Sequence, residues 1–285
     1  MRRNRPSLTA LGIAVVRAVE SEKPPGERIC YDPYASQFVP PWMYRILGFS
    51  IRSGYAELRG PGVNGFLLAR ERYIDDVLQD SLGFGLQQLV ILGAGYDSRP
   101  YRFDLSGKVK AFEVDHPLTQ ADKLEKVRRI FGEIPAHVTY VPVDFNTQLL
   151  SERLLSSGFD PALVSLFIWQ GVTMYLSPAG VDATLSFVVN NTAPGSSIVF
   201  DYVYQSVLVG LQKHSEITSM RRYRFLTGEA LTFGIPQGSV QSFLLERGFH
   251  QVIDISAAEL KAAYMTGKMV DRKVAGGYGI AIGKT

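Results

Sequence analysis

The chain is poor in the residues that build covalent staples and metal cages. Its 285 residues include a single cysteine, Cys30, which excludes an internal disulfide and any cysteine-cluster zinc site. The four histidines, His116, His137, His214 and His250, sit on separate segments, so they read as structural or exposed and no metal site is expected. Charge of one sign is scarce as well. Thirty Lys and Arg against 27 Asp and Glu leave a net +3, too little to imply a nucleic-acid partner. Long hydrophobic runs are missing. The longest, Pro161 to Leu176, carries Gln170 and falls short of the roughly 18 residues of a spanning helix, so no membrane partner is expected. Met1-Arg2-Arg3-Asn4-Arg5 looks like the opening of a secretory signal, but Arg17, Glu20 and Glu22 interrupt the apolar stretch behind it. No small-residue cleavage site follows, and a cytoplasmic location is expected.

What is present is an enzyme-sized chain with two textures. Up to residue 87 it reads as a helical cap broken by Pro and Gly, with helices over Leu8–Glu20, Tyr34–Leu47 and Val63–Gln79. From Gln88 onward short β-branched runs take over. Strands are predicted at 88–92, 109–115, 138–144, 162–169 and 196–202, with helices at 117–131 and 177–190 between them. Such alternation gives parallel strands with crossover helices, hence a doubly wound α/β sheet. An irregular stretch, Tyr204 to Gln237, reads as a lid insertion. A helix at 239–247 and a late, hairpin-like pair of strands at 249–255 and 278–282 close the chain. Seven strands in this order fit the methyltransferase variant of a Rossmann-like sheet better than a six-stranded dehydrogenase. We therefore expect a single domain of residues 1–285, with its core at 88–203 and 238–285.

The residues that could carry chemistry gather at the predicted strand ends. Leu92-Gly93-Ala94-Gly95-Tyr96-Asp97-Ser98-Arg99 turns sharply out of the first strand and lets backbone approach a ligand. Ser98 stands where a dinucleotide site would have a third Gly. Twenty residues after Gly95, the second strand ends in Glu113 and Asp115, which share a side by the period of two and could accept from ribose hydroxyls. Capping the next helix is the plainer role for either. Asp144, with Phe145 after it, ends the third strand where an adenine amino group could be met, which argues against NAD. Gln170 ends the fourth strand beside the ligand crevice.

Taken together, these stretches resemble the leucine carboxyl methyltransferase family, including its bacterial polyketide and mycobacterial branches. The resemblance rests on residues 69–76 (Ala-Arg-Glu-Arg-Tyr-Ile-Asp-Asp), 92–99, 113–117, Val143-Asp144 and 170–176, in family order, with Asp32-Pro33-Tyr34 and Gly228-Glu229-Ala230 in addition. It implies an O-methyltransferase using S-adenosyl-L-methionine, with a small-molecule or peptide-like carboxylate as acceptor. By the same resemblance Arg70 meets the donor's carboxylate, Gly93 and Gly95 line its methionine part, and Ala94, Asp97 and Gln170 are further candidate donor contacts. Asp115, supported by Glu113, takes the ribose, and Asp144 with Phe145 takes the adenine. Gln170 stands where the family usually has Glu. Thr9-Ala10 stands where phosphatase-methylating members have Lys, so a phosphatase C-terminus is not the expected substrate. Tyr175 and Tyr202 are candidate acceptor contacts, and Arg221 and Arg224 are candidate anion-steering residues of the lid. A binding protein without turnover and an NAD-dependent oxidoreductase are the alternatives.

Overall fold

Strands bury both faces when helices cover the sheet on both sides, and their sequences then read as continuous apolar runs. The computed structural model, which describes residues 6–105, 107–144, 148–209 and 231–285, shows this arrangement. β1 (Gln88–Leu92) and β4 (Ser165–Trp169) are buried along their whole length. They sit at the centre of a seven-stranded sheet with β2 (Lys110–Asp115), β3 (Val138–Pro142), β5 (Ser197–Val203), β6 (Gln251–Ser256) and β7 (Tyr278–Lys284) in the order β3-β2-β1-β4-β5-β7-β6. Every pairing from β3 to β5 is parallel, while β7 runs antiparallel to both β5 and β6. The chain moves outward from β1 to β3, then restarts at β4 on the other side of β1. That reversal opens a crevice at the carboxyl ends of β1 and β4.

Among the described residues the α-helices are α1 (Leu8–Ser21), α2 (Pro41–Arg52), α3 (Tyr55–Arg59), α4 (Val63–Gly83), α5 (Arg99–Arg102), α6 (Pro117–Phe131), α7 (Leu150–Ser156), α8 (Pro178–Asn190), α9 (Gln205–Val209), α10 (Val240–Leu245) and α11 (Ala257–Tyr264). One sheet face, carrying Leu89, Ile91, Ile168 and Val199, packs against Phe66, Ile74 and Leu78 of α4 and Leu260 of α11. The other, carrying Val90, Leu92, Phe167 and Phe200, packs against Val181 and Leu185 of α8 and Leu244 of α10. A third cluster joins Leu11, Ala14 and Val15 of α1 to Phe38, Met43 and Tyr96, which fastens the N-terminal helices to the turn after β1. The Ser7 hydroxyl starts α1 by accepting from the Ala10 N–H at 3.2 Å.

Three expectations change. The helix expected over Tyr34–Leu47 is a 3-10 turn, Ala35–Phe38, followed by α2, because Pro40 and Pro41 forbid a continuous helix but suit a helix start. β6 and β7 are neighbours without being a hairpin, since α11 lies between them. The described ends of the expected lid are core rather than cover: Tyr204 and Ile235 form a parallel bridge and are both buried. Phe145, Arg221 and Arg224 lie outside the described residues.

Candidate functional site

Gly93 turns out of β1 with φ +68, and a Cβ there would come within 2.3 Å of the Val172 side chain. Only glycine fits so close a pass between the β1 and β4 ends. Asp115 faces this turn from the end of β2. One carboxylate oxygen accepts from the Gly95 N–H and the other from the His116 N–H at 2.6 Å. Burial pushes its carboxyl up, against those two N–H groups. Each oxygen keeps a second lone pair for a ligand hydroxyl. The N-terminus of α6 is capped by His116, whose Nδ1 accepts from the Leu118 N–H at 3.3 Å, so neither acid on β2 is spent on that cap. Glu113 is fully buried one pleat back from Asp115, and its oxygens meet Lys123 Nζ at 2.7 Å and the Tyr101 hydroxyl at 2.9 Å. Burial outweighs both partners and pushes its carboxyl up to about 7. Its place is beneath the crevice, holding α6 to β2. Asp144 is half-buried two residues past the end of β3.

Behind the crevice lies a buried charge network. Arg99 is completely buried and reaches Asp75 at 2.7 Å, Glu71 at 3.1 Å and Asp97. Arg102 meets Asp75 at 2.6 Å and Glu71 at 3.3 Å. From α1, Arg17 meets Asp32 at 3.0 Å and Glu71 at 3.7 Å. Glu71 is thus shared by three guanidinium groups. Burial alone would raise its carboxyl, but Arg99, Arg17 and Arg102 outweigh it and hold Glu71 well below the ordinary carboxylate range. Gln170 closes the network at the end of β4. Its Oε1 accepts from Arg99 Nη1 at 2.9 Å, and its Nε2 donates to Glu71 Oε2 at 2.7 Å. Cys30 is buried beside this cluster, and burial, then Glu71 and Asp75, push its thiol well up.

A cavity of about 290 Å³ opens between the cap and the core. Its walls are mostly apolar, with Ile13 and Val16 of α1, Leu47 and Ile51 of α2, and Phe66 and Leu67 of α4. Its charged end is Arg70 and Asp201, an ion pair in which both side chains are almost wholly buried. Asp201 also accepts from the Gly171 N–H and, through its backbone carbonyl, from Thr173 Oγ1 at 2.6 Å. The other guanidinium nitrogens of Arg70, Nε and Nη2, are buried with no hydrogen-bond partner among the described residues, and an anionic ligand group would supply one.

Of the residues singled out from the sequence, Arg70 and Tyr175 line the cavity, Asp115 holds the Gly95 N–H and Gly93 passes close to Val172, and Asp97 and Gln170 both meet Arg99. Tyr202 is a correction. It projects to the opposite sheet face from Asp201, by the strand's period of two, and its hydroxyl donates to Asp254 at 2.8 Å. Two residues here were not singled out from the sequence. Asp201 had a visible signal, a carboxylate inside the apolar run Ile198–Val203. Glu71 follows Arg70 in the 69–76 stretch, but nothing local marks it as buried, because a Glu in a helix ordinarily faces water.

Residues 10–189 match the family described as leucine carboxyl methyltransferase. Among relatives, the chain is 34% identical over 165 residues to YktD of Bacillus subtilis, named as a candidate S-adenosyl-L-methionine-dependent methyltransferase; the match covers 58% of this chain and 54% of YktD. A protein of Rhodococcus jostii with the same style of name is 32% identical over 198 residues, covering 68% of this chain and 65% of the relative. The chain thus spans about half to two thirds of the length of these relatives. In fold it is similar to a candidate methyltransferase from Thermobifida fusca (TM-score 0.57, 14% identity, 100% of this chain and 96% of the other). It is also similar to the CurJ carbon methyltransferase (TM-score 0.51, 13% identity, 97% and 66%). With the family match extending from α1 to the end of α8, across the glycine turn, Asp115 and Gln170, the chain belongs to the leucine carboxyl methyltransferase family.

Proposed function

We propose that this protein is an S-adenosyl-L-methionine-dependent O-methyltransferase whose acceptor is the carboxylate of a small, largely apolar molecule. The observation that carries the reading is Arg70, in the cavity lining, with two buried guanidinium nitrogens that have no partner among the described residues. A donor fits the residues present. Arg70 would take its carboxylate, Asp115 its ribose, Asp144 its adenine end, and the Gly93–Gly95 turn leaves room for its methionine chain. The names of the relatives support the same donor.

When bound, the donor supplies an electrophilic methyl group on a sulfonium. The remaining work is binding and alignment. A carboxylate acceptor is already ionised at neutral pH, so no base is needed, and holding it in line with the methyl group supplies most of the rate. The apolar walls exclude water from that encounter. A cavity of about 290 Å³ is at the small end of ligand pockets, which favours a compact acid over a peptide. A second reading has its own support. Asp201 lines the cavity and could take the proton of a hydroxyl acceptor.

The test is incubation with methyl-labelled donor and a panel of small aryl and alkyl acids, phenols and C-terminal peptides, followed by mild alkali. Label released as methanol identifies an ester and supports carboxyl methylation. Alkali-stable label identifies an ether and favours the second reading. Binding of S-adenosylhomocysteine with no product from any acceptor would leave a binding protein.

A further inference from the structure

The amide at position 170 has an electrostatic reason that lies on another helix. Gln170 is half-buried at the end of β4, whereas Glu71 on α4 is 1% exposed and Arg99 is fully buried. Gln170 is therefore where the network of Arg17, Arg99, Arg102, Asp75, Asp97 and Glu71 reaches the crevice. Its side chain must accept from a cation, Arg99 Nη1 at 2.9 Å, and donate to an anion, Glu71 Oε2 at 2.7 Å. An amide does both. A carboxylate at 170 would face the Glu71 oxygen with no hydrogen between them, and two carboxylates so close cannot both ionise.

We propose that Glu71 and Gln170 form one positioning pair for the donor's ammonium, in which Glu71 holds the negative charge and the Gln170 amide fixes it and turns a carbonyl lone pair toward the crevice. The ammonium then meets the second lone pair of the Gln170 carbonyl, whose first is held by Arg99, with the Glu71 anion at the amide nitrogen offsetting that guanidinium. This rests on the donor-binding reading above, but the pairing can be tested apart from it. The groups facing the pair are Arg17 from α1, Asp75 from α4, Asp97 and Arg99 from the turn after β1 and α5, Arg102 from α5, and the Cys30 thiol.

Three variants decide it: Gln170→Glu, Glu71→Gln, and the swap carrying both. The first readout is melting temperature without ligand, from about pH 5 to about pH 8, around and above the ordinary carboxylate range. In Gln170→Glu the pair shares a proton and its folded-state affinity for that proton is raised. Stability should match the wild type at the acid end and fall progressively as pH rises. The swap restores one carboxylate and one amide and should remove that dependence. A Gln170→Glu profile parallel to that of the wild type, or a swap that falls with pH as steeply as the single variant, overturns the pairing. The second readout is calorimetric affinity for S-adenosylhomocysteine. Glu71→Gln should weaken it by about tenfold, the scale of one charge-assisted hydrogen bond, and the swap should recover it. Equal affinity in wild type, Glu71→Gln and swap overturns the role toward the donor. Should Glu71→Gln not fold, wild type against the swap carries the comparison: a swap that folds but binds about tenfold weaker overturns the role. A wild type that does not bind S-adenosylhomocysteine refutes the donor reading, while the pH profiles still decide the pairing.

Discussion

Glu113 and Asp115 are two residues apart on one strand and share a side, yet burial gives them different work. Asp115 reaches the crevice rim, while Glu113 stays under it between Lys123 and Tyr101. The sequence could place both acids at the end of β2, because strand periodicity is local. It also favoured Asp115 over Glu113 for the ribose, but did not show why Glu113 stays below, which depends on Lys123 from the middle of α6. Glu113 also carries a pH signature. Its carboxyl is raised from 4.5 to about 7, so the folded state binds that proton more tightly than the unfolded chain does. Its contribution to stability is complete below about 4.5 and disappears as pH rises through about 7, a change of about 3 kcal/mol. Asp75 and Asp115, also raised, act in the same direction. Glu71, held low, acts only at lower pH. Urea unfolding across this range should show wild-type stability falling with pH more steeply than Glu113→Gln, and parallel curves would remove Glu113 as the cause.

At the scale of elements, what was legible had a local cause. The strand positions followed from apolar runs with turn residues between them, and α6 and α8 filled the intervals between strands, each starting on a Pro in the structure. α11 was legible and overlooked: Ser256-Ala-Ala-Glu259 is a capping box, with the Ser256 N–H donating to Glu259 at 2.8 Å. α7 and α3 are seven and five residues long, too short for periodicity to separate from loop. What no local pattern could give is how the start of α4 meets the segment before β7. Gly65 presses on that segment so closely that a Cβ would sit 1.9 Å from the Lys273 carbonyl oxygen. Gly65→Ala should therefore destabilise the protein by about 1–3 kcal/mol, as overpacked sites do, despite the better helix propensity of Ala. It should also disturb the cavity wall formed by Val63 and Phe66. Equal or greater stability in chemical denaturation would show that the contact yields without cost.

For the whole molecule, a parallel, doubly wound sheet was implied by the alternation of strands and helices, but the role of the cap was not. The cavity belongs to neither layer alone: α1, α2 and α4 supply one wall, and Gly171, Met174 and Asp201 supply the other. Helical periodicity showed that the N-terminal helices have an apolar side, not which strand ends that side would cover. The network behind the crevice is shared in the same way, since Arg17 comes from the cap and Arg99 from the core. Cap and core should therefore separate or stay together as a unit. The one thiol of the chain turns that coupling into a clock. Cys30 is buried at this boundary, so an alkylating reagent labels it slowly in the folded chain and faster during excursions in which the cap lifts. The labelling rate of the native protein divided by that of the urea-unfolded chain sets an upper bound on the fraction of time spent open. Saturating S-adenosylhomocysteine should slow the native rate and leave the unfolded rate unchanged, because a ligand held by both layers penalises every opening. Labelling that is equally fast with and without the ligand would mean that the cap moves independently of the site it covers.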